Sequence, residues 1–212
     1  MPHSLAPLPH LADQARRLVD LGLATAAGLS VEAVLAAASA GPADALLAIH
    51  PERLPASAIA PLLENADKPG FVVEDMTDVD AFTPIAEASP PASSLYLVHD
   101  LDRGDSMANW TPAEALPAIT AEARTPLTLT EGIHWLLQQP EALERNRCFM
   151  TIGSRLRRDN CVVDARTPAL WISNGTGRDG PDRRHAPKVG WCWAGNRHTW
   201  LGFASASGRS AR

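Results

Sequence analysis

Apolar residues recur at helical spacing near the start of the chain, where Leu11, Ala15, Leu18, Leu21 and Leu23 are separated by Arg16, Arg17 and Asp20. That spacing predicts an amphipathic helix over 11–24. Ser30 then stands as an N-cap with Glu32 in the first turn and Gly41-Pro42 as a stop, which predicts a second helix over 31–39. The apolar run 46–49 ends at His50-Pro51 and reads as a buried strand, and a helix over 56–65 stops before Pro69-Gly70. The β-branched run 71–73 and the apolar run 95–98 read as further strands, separated by a Pro/Ser/Ala loop at 89–94.

The middle of the chain is helical. Thr111-Pro112-Ala113-Glu114 combines a capping box with proline at the first helical position, and Thr128-Leu129-Thr130-Glu131 is a second capping box. They predict helices over 112–123 and 130–139. The last third holds four short β-like runs, 148–153, 169–173, 189–194 and 199–204, whose spacing allows a four-stranded antiparallel meander. Gly195-Asn196-Arg197-His198 reads as the hairpin turn between the last two, and the Gly- and charge-rich stretch 174–187 as a long mobile loop. The expected class is therefore α+β: a helix/strand-alternating N-terminal part, two central helices and the meander. One domain over 1–212 accommodates this, and the pattern also allows a division into a mixed α/β part (1–145) and a Trp-rich sheet (146–212).

Composition narrows the function classes. At 212 residues, 45% hydrophobic and 20% charged, the chain can bury roughly 70% of its unfolded surface without a disulfide or structural metal. No apolar run reaches the roughly 18–20 residues of a membrane span, and Asp13, Arg16, Arg17 and Asp20 interrupt the place of a signal peptide. Three cysteines, Cys148, Cys161 and Cys192, read as free thiols of a reducing cytoplasm. The net charge of -5 is unevenly spread: -9 over 1–100, -4 over 101–145 and +8 over 146–212, where four of the six Trp also lie. A basic, Trp-rich tail points either to an anionic ligand or to packing against the acidic part, the two sets of charge satisfying each other.

Within the tail, Trp191 and Trp193 should share one face of a strand with Cys192 on the other, and Trp200 should lie across from one of them. Three rings of about 150–250 Å² each form either a sheet core or a ligand wall with Asn196, Arg197 and His198 at its rim. Gly153-Ser154-Arg155 at a strand end could hold a phosphate or carboxylate through the guanidinium fork. Cys192 and His198 lack the close pairing of zinc ligands, so no metal is assigned to them. Strand-end carboxylates, Asp75, Asp100 and Asp102 among them, could instead meet around Mg²⁺. No phosphate loop, dinucleotide fingerprint, serine elbow or H-E-x-x-H is present, and no cofactor is implied.

Several of these stretches occur together in a pattern that resembles an uncharacterised actinobacterial family, a domain of unknown function. They are Thr111-Pro112 with Glu114-Ala115-Leu116-Pro117, Pro126-Leu127-Thr128 with Glu131-Gly132, Cys148-Phe149 with Gly153-Ser154-Arg155, and Pro168-Ala169-Leu170-Trp171-Ile172-Ser173. Gly190-Trp191-Cys192-Trp193-Ala194-Gly195-Asn196 with His198-Thr199-Trp200-Leu201-Gly202 completes the set, while the charged insert 175–185 departs from it. The resemblance implies a bacterial cytoplasmic protein and no mechanism.

These readings favour a cytoplasmic binding protein for a small anionic or aromatic ligand, held by Arg155, Trp191, Trp193, Asn196, His198 and Trp200. Two other classes stay open: an enzyme using His198 as base or the carboxylates with a metal, and an adaptor that docks a protein partner. The acidic net charge argues against a general nucleic-acid binder.

Overall fold

The computed structural model describes residues 6–212. In chain order its principal elements are α1 (Leu11–Asp20), α2 (Leu23–Ala26), α3 (Val31–Ala37), β1 (Ala45–Ile49), α4 (Ala56–Ile59), β2 (Phe71–Val72), β3 (Leu95–His99), α5 (Pro112–Ala121), α6 (Leu129–Gln138), β4 (Cys148–Met150), β5 (Arg166–Ile172), β6 (Pro187–Trp193), β7 (Leu201–Phe203) and β8 (Gly208–Ala211). Helices and strands mix as expected of an α+β protein. The 11–24 stretch divides in two because Gly22 takes a left-handed φ of 74° that closes α1. The helix expected over 56–65 ends at Ile59 and tightens into a single 3₁₀ turn, because Pro61 supplies no N–H to an α-helical ladder.

Strands β1, β3 and β8 form one antiparallel sheet with β3 in the centre, Leu47 opposite Leu97 and Leu97 opposite Ser210. All five residues of β1 are buried, so its outer edge cannot be left to water. Side chains cover it instead. Gln14 donates to the Ala45 carbonyl and accepts from the Leu47 N–H, both at 2.8 Å, and His134 Nε2 accepts from the Ile49 N–H at 3.3 Å.

The second sheet is five-stranded, in the order β7-β4-β5-β6-β2. Its middle, β4-β5-β6, is the expected antiparallel meander, but the fourth strand is elsewhere. β7 does not form a hairpin with β6. It crosses to the far edge and pairs parallel with β4, Leu201 beside Cys148, while β2 joins β6 in parallel at the other edge. Backbone contact explains the placement: a Cβ on Gly202 would come within 2.4 Å of the Arg103 carbonyl oxygen, and one on Gly104 within 2.1 Å of that of Phe203. Two glycines thus let these chains meet where side chains would forbid it. From β7 the chain continues through Ser205–Ala206, paired with Thr125–Pro126, into β8 and the first sheet.

Helix α6 packs against both sheets, and every one of its residues is buried. Gly132 lets it approach Thr151 and Leu170 closely, and Trp135 stacks on Phe149 at 5.2 Å. Both capping boxes form, with the Thr111 and Thr128 N–H groups each donating to the glutamate at the third helical position at 2.8 Å. The 174–187 stretch, expected to be mobile, is pinned by side chains. Arg178 pairs with Asp75 at 3.1 Å, Arg183 lies over the Phe71 ring at 4.5 Å, and Asp179 takes both Lys188 and the Ser173 hydroxyl.

Candidate functional site

The six residues expected to line one site fall into three groups. Trp191 and Trp193 do share a strand face, edge to face at 4.6 Å, with Cys192 alternating to the other side. Trp200 is not across from them, because β7 lies at the opposite edge of the sheet. It packs instead on Trp171 at 6.2 Å and His198 at 5.2 Å. Trp171 escaped the sequence reading because its partner is set by the crossover of β7. Asn196 is exposed, with its N–H bonded to the Trp193 carbonyl. The turn residue Arg197 is spent on Glu114 at 2.6 Å and the Asn109 carbonyl at 2.8 Å, which ties the 194–200 crossing to the start of α5. Arg155 belongs to a separate cavity beside Pro112 and Leu116. Burial lowers the His198 pKa and favours its neutral form, and among the described residues no carboxylate pairs with it to orient the ring as a general base.

The thiols and carboxylates are equally dispersed. Burial pushes Cys148 and Cys192 up to about 11, away from thiolate chemistry at neutral pH. Asp100 pairs with Arg124 at 2.6 Å, Asp102 accepts from the Gly104 N–H at 2.8 Å, and Asp75 holds Arg178. Among the described residues no three His, Cys, Asp or Glu side chains converge as a metal site. The expected meeting of Asp75, Asp100 and Asp102 therefore does not occur, since each serves the fold separately.

A concave site exists where sequence reasoning did not look. A cleft of about 610 Å³ opens where β1 leaves the first sheet at His50 and β3 enters it from Ser94. The pairing persists one step past the strand ends, the His50 N–H donating to the Ser94 carbonyl at 2.9 Å, which fixes both residues at the mouth. Its floor includes Thr130 at the start of α6. One turn on, His134 is locked as the Nδ1–H tautomer, donating to the Thr130 carbonyl at 2.8 Å while Nε2 accepts from Ile49. Burial lowers the His134 pKa and keeps that ring neutral. The opposite wall is Phe82 with Thr83 and Pro84, over which Arg166 lies at 5.4 Å from the Phe82 ring.

The charges of the cleft are unequal in availability. Asp80 is consumed as a cap for α4, accepting from the Ser57 N–H at 2.8 Å and its hydroxyl at 2.5 Å. Glu52 points to solvent and approaches His50 Nδ1 at 3.8 Å. Arg53, by contrast, makes no side-chain hydrogen bond or ion pair among the described residues. The local signal was present in His50-Pro51-Glu52-Arg53 directly after an apolar strand. Its partners, Asp80, Thr83 and Thr130, come from distant segments that only the fold assembles.

The site and topology define a mixed α+β protein with a preformed small-molecule-sized cleft at the end of an antiparallel sheet. The chain belongs to DUF5701, a family of unknown function, which it matches over residues 17–212. No curated protein and no solved structure matches it. No helix among the described residues is long and apolar enough to cross a membrane.

Proposed function

We propose that the protein binds a small anionic ligand in the cleft between His50 and Thr130. The observation that carries this reading is a cation left over: among the described residues Arg53 makes no side-chain hydrogen bond or ion pair, while the Asp80 oxygens are occupied by Ser57 and Glu52 stands in solvent. A volume of about 610 Å³ lies in the range of ligand pockets, roughly 300–1,000 Å³. Proline and Phe82 supply apolar walls, and Thr83, Ser93, Ser94 and Thr130 bring hydroxyl-bearing residues to the lining. This keeps the ligand class expected from the sequence and moves its seat from the Trp-rich strand to the cleft.

The test is a ligand-observed NMR screen of small carboxylates and phosphate esters against the wild type, Arg53→Ala and Ala92→Trp. Ala92 is an exposed lining residue, and an indole there fills the cleft without disturbing the core. Hits should lose their signal in both variants. Hits that survive both would refute the assignment.

A further inference from the structure

We infer that Arg155 and Arg157 form a second binding site, separate from the cleft, for the carboxylate of a short aliphatic acid. The two-residue pairing of Thr83–Pro84 with Ser154–Arg155 contributes Thr83 and Pro84 to the cleft and Arg155 to a smaller cavity of about 210 Å³.

Arg155 is the unusual group. It is half-buried, and its one side-chain hydrogen bond among the described residues is from Nη2 to the main-chain carbonyl of Asp164, at 2.8 Å. The Asp164 charge favours the Arg155 cation at a distance but makes no salt bridge with it, because Arg158 and Arg166 already occupy both oxygens. Arg155 Nε is buried without any hydrogen-bond partner. Burial lowers the Arg155 pKa, whereas Arg103, Arg166 and Arg209, each with carboxylate partners, are raised. A guanidinium partly withdrawn from water without a salt-bridge partner costs stability, and an anion in the same cavity offsets that cost.

The rest of the cavity defines the ligand. Arg157 lines it and has no side-chain partner among the described residues, which adds a second cation. Glu87 stands at the lining but pairs with neither arginine. The other walls are apolar, with Leu116, buried Ile152 and Val163 facing the same space. Planar guanidinium groups match a carboxylate through paired N–H donors, and the aliphatic walls take a hydrocarbon chain that phosphate does not have. A two- to five-carbon tail is the chemistry that uses both halves of the site.

Butyrate is the probe, with phosphate and chloride at equal ionic strength as comparisons, read by thermal unfolding and by butyrate line broadening in NMR. Butyrate should raise the wild-type midpoint saturably, by roughly 3–6 °C at tenfold its dissociation constant. Arg155→Met should keep or raise the ligand-free midpoint, since it removes a half-buried cation without a salt-bridge partner, and should abolish the butyrate response. Arg157→Gln, at an exposed position, should leave the ligand-free midpoint unchanged and weaken the response. Arg53→Ala should leave the response intact, which separates this site from the cleft. The inference is overturned if butyrate stabilises no more than chloride, if phosphate matches butyrate, or if Arg155→Met retains the response. Loss of the response in Arg53→Ala would also overturn it, by placing the anion in the cleft.

Discussion

The most consequential perturbation of the fold is Arg209→Met. Arg209 lies on the last strand, β8, and reaches the Glu131 carboxylate with two donors, Nε to Oε1 at 2.5 Å and Nη2 to Oε2 at 2.7 Å. Each oxygen accepts a second bond, from the Tyr96 hydroxyl at 3.0 Å and from the Thr128 N–H at 2.8 Å. The remaining arginine donors go to Thr125 Oγ1 and the Pro126 carbonyl. The Glu131 side chain is fully buried and that of Arg209 is 6% exposed, so neither charge has water to fall back on. Removing one partner of such a pair costs about 3–5 kcal/mol, most of it the penalty of stranding the other charge. With a urea slope of about 2–3 kcal/mol/M, the midpoint followed by Trp fluorescence should fall by about 1–2.5 M. Adding Glu131→Gln to Arg209→Met removes the stranded charge and should restore at least about 1 kcal/mol. A loss below about 1 kcal/mol in Arg209→Met, or a further loss on adding Glu131→Gln, would refute the reasoning.

Two other outcomes follow from the titrating groups. Burial holds the folded pKa of His134 below its ordinary value, so as pH falls through about 6.5 the unfolded chain takes up a proton that the folded one refuses; stability measured by urea titration should decline there. Hydrogen bonds from Arg166 hold Asp164 and Asp78 low, and Arg197 holds Glu114 at about 2, so their contribution is present above about pH 4 and is lost as pH falls through those depressed values. A urea midpoint that stays flat from pH 7 to 3 would contradict both statements. Among the thiols, exposed Cys161 should react with a maleimide at pH 7.5 well before Cys148 and Cys192, both of which are pushed up to about 11. Mass spectrometry should show one rapid adduct, and comparable rates at all three sites would show that buried Cys148 and half-buried Cys192 are more accessible than the fold allows.

What was legible in the chain was local. Ser30, Thr111 and Thr128 announce helices because a cap is written within four residues, and α3, α5 and α6 begin where those residues place them. The runs expected as strands over 148–153, 189–194 and 199–204 each overlap one, at 148–150, 187–193 and 201–203, because side-chain character alone marks them. Strand order is decided by distant contacts. No residue between 194 and 200 records that β7 will cross to β4, since the cause is the close approach of Gly202 to Arg103 and Gly104. The candidate site suffered most from this. Trp191 and Trp200 are nine positions apart and end three strands from each other in the sheet, on β6 and beside the edge strand β7, whereas His50 and Thr130, eighty positions apart, border one cleft.

The charge asymmetry of the sequence acquires a different meaning in the fold. Five arginines of the basic tail pair with acids of the first 145 residues: Arg166 with Asp78, Arg178 with Asp75, Arg183 with Glu74, Arg197 with Glu114 and Arg209 with Glu131. The segregation of charge along the chain is thus complementarity between its two ends, and the sum of +8 over 146–212 overstates what an external anion would meet. The exposed ones, at Arg178, Arg183 and Arg197, are each worth about 0–1 kcal/mol and orient the tail more than they stabilise it, unlike the buried Arg209–Glu131 pair. The informative cations are those the pairing leaves over. Arg53 at the cleft and Arg155 with Arg157 in the smaller cavity have no carboxylate partner among the described residues, and all three line concave space. Paired arginines can be neutralised together with their partners at little cost. Half-buried Arg155 carries a desolvation penalty that an anion in its cavity would offset, while exposed Arg53 and Arg157 keep their charge and free donors for a ligand, so anion binding should depend on these three.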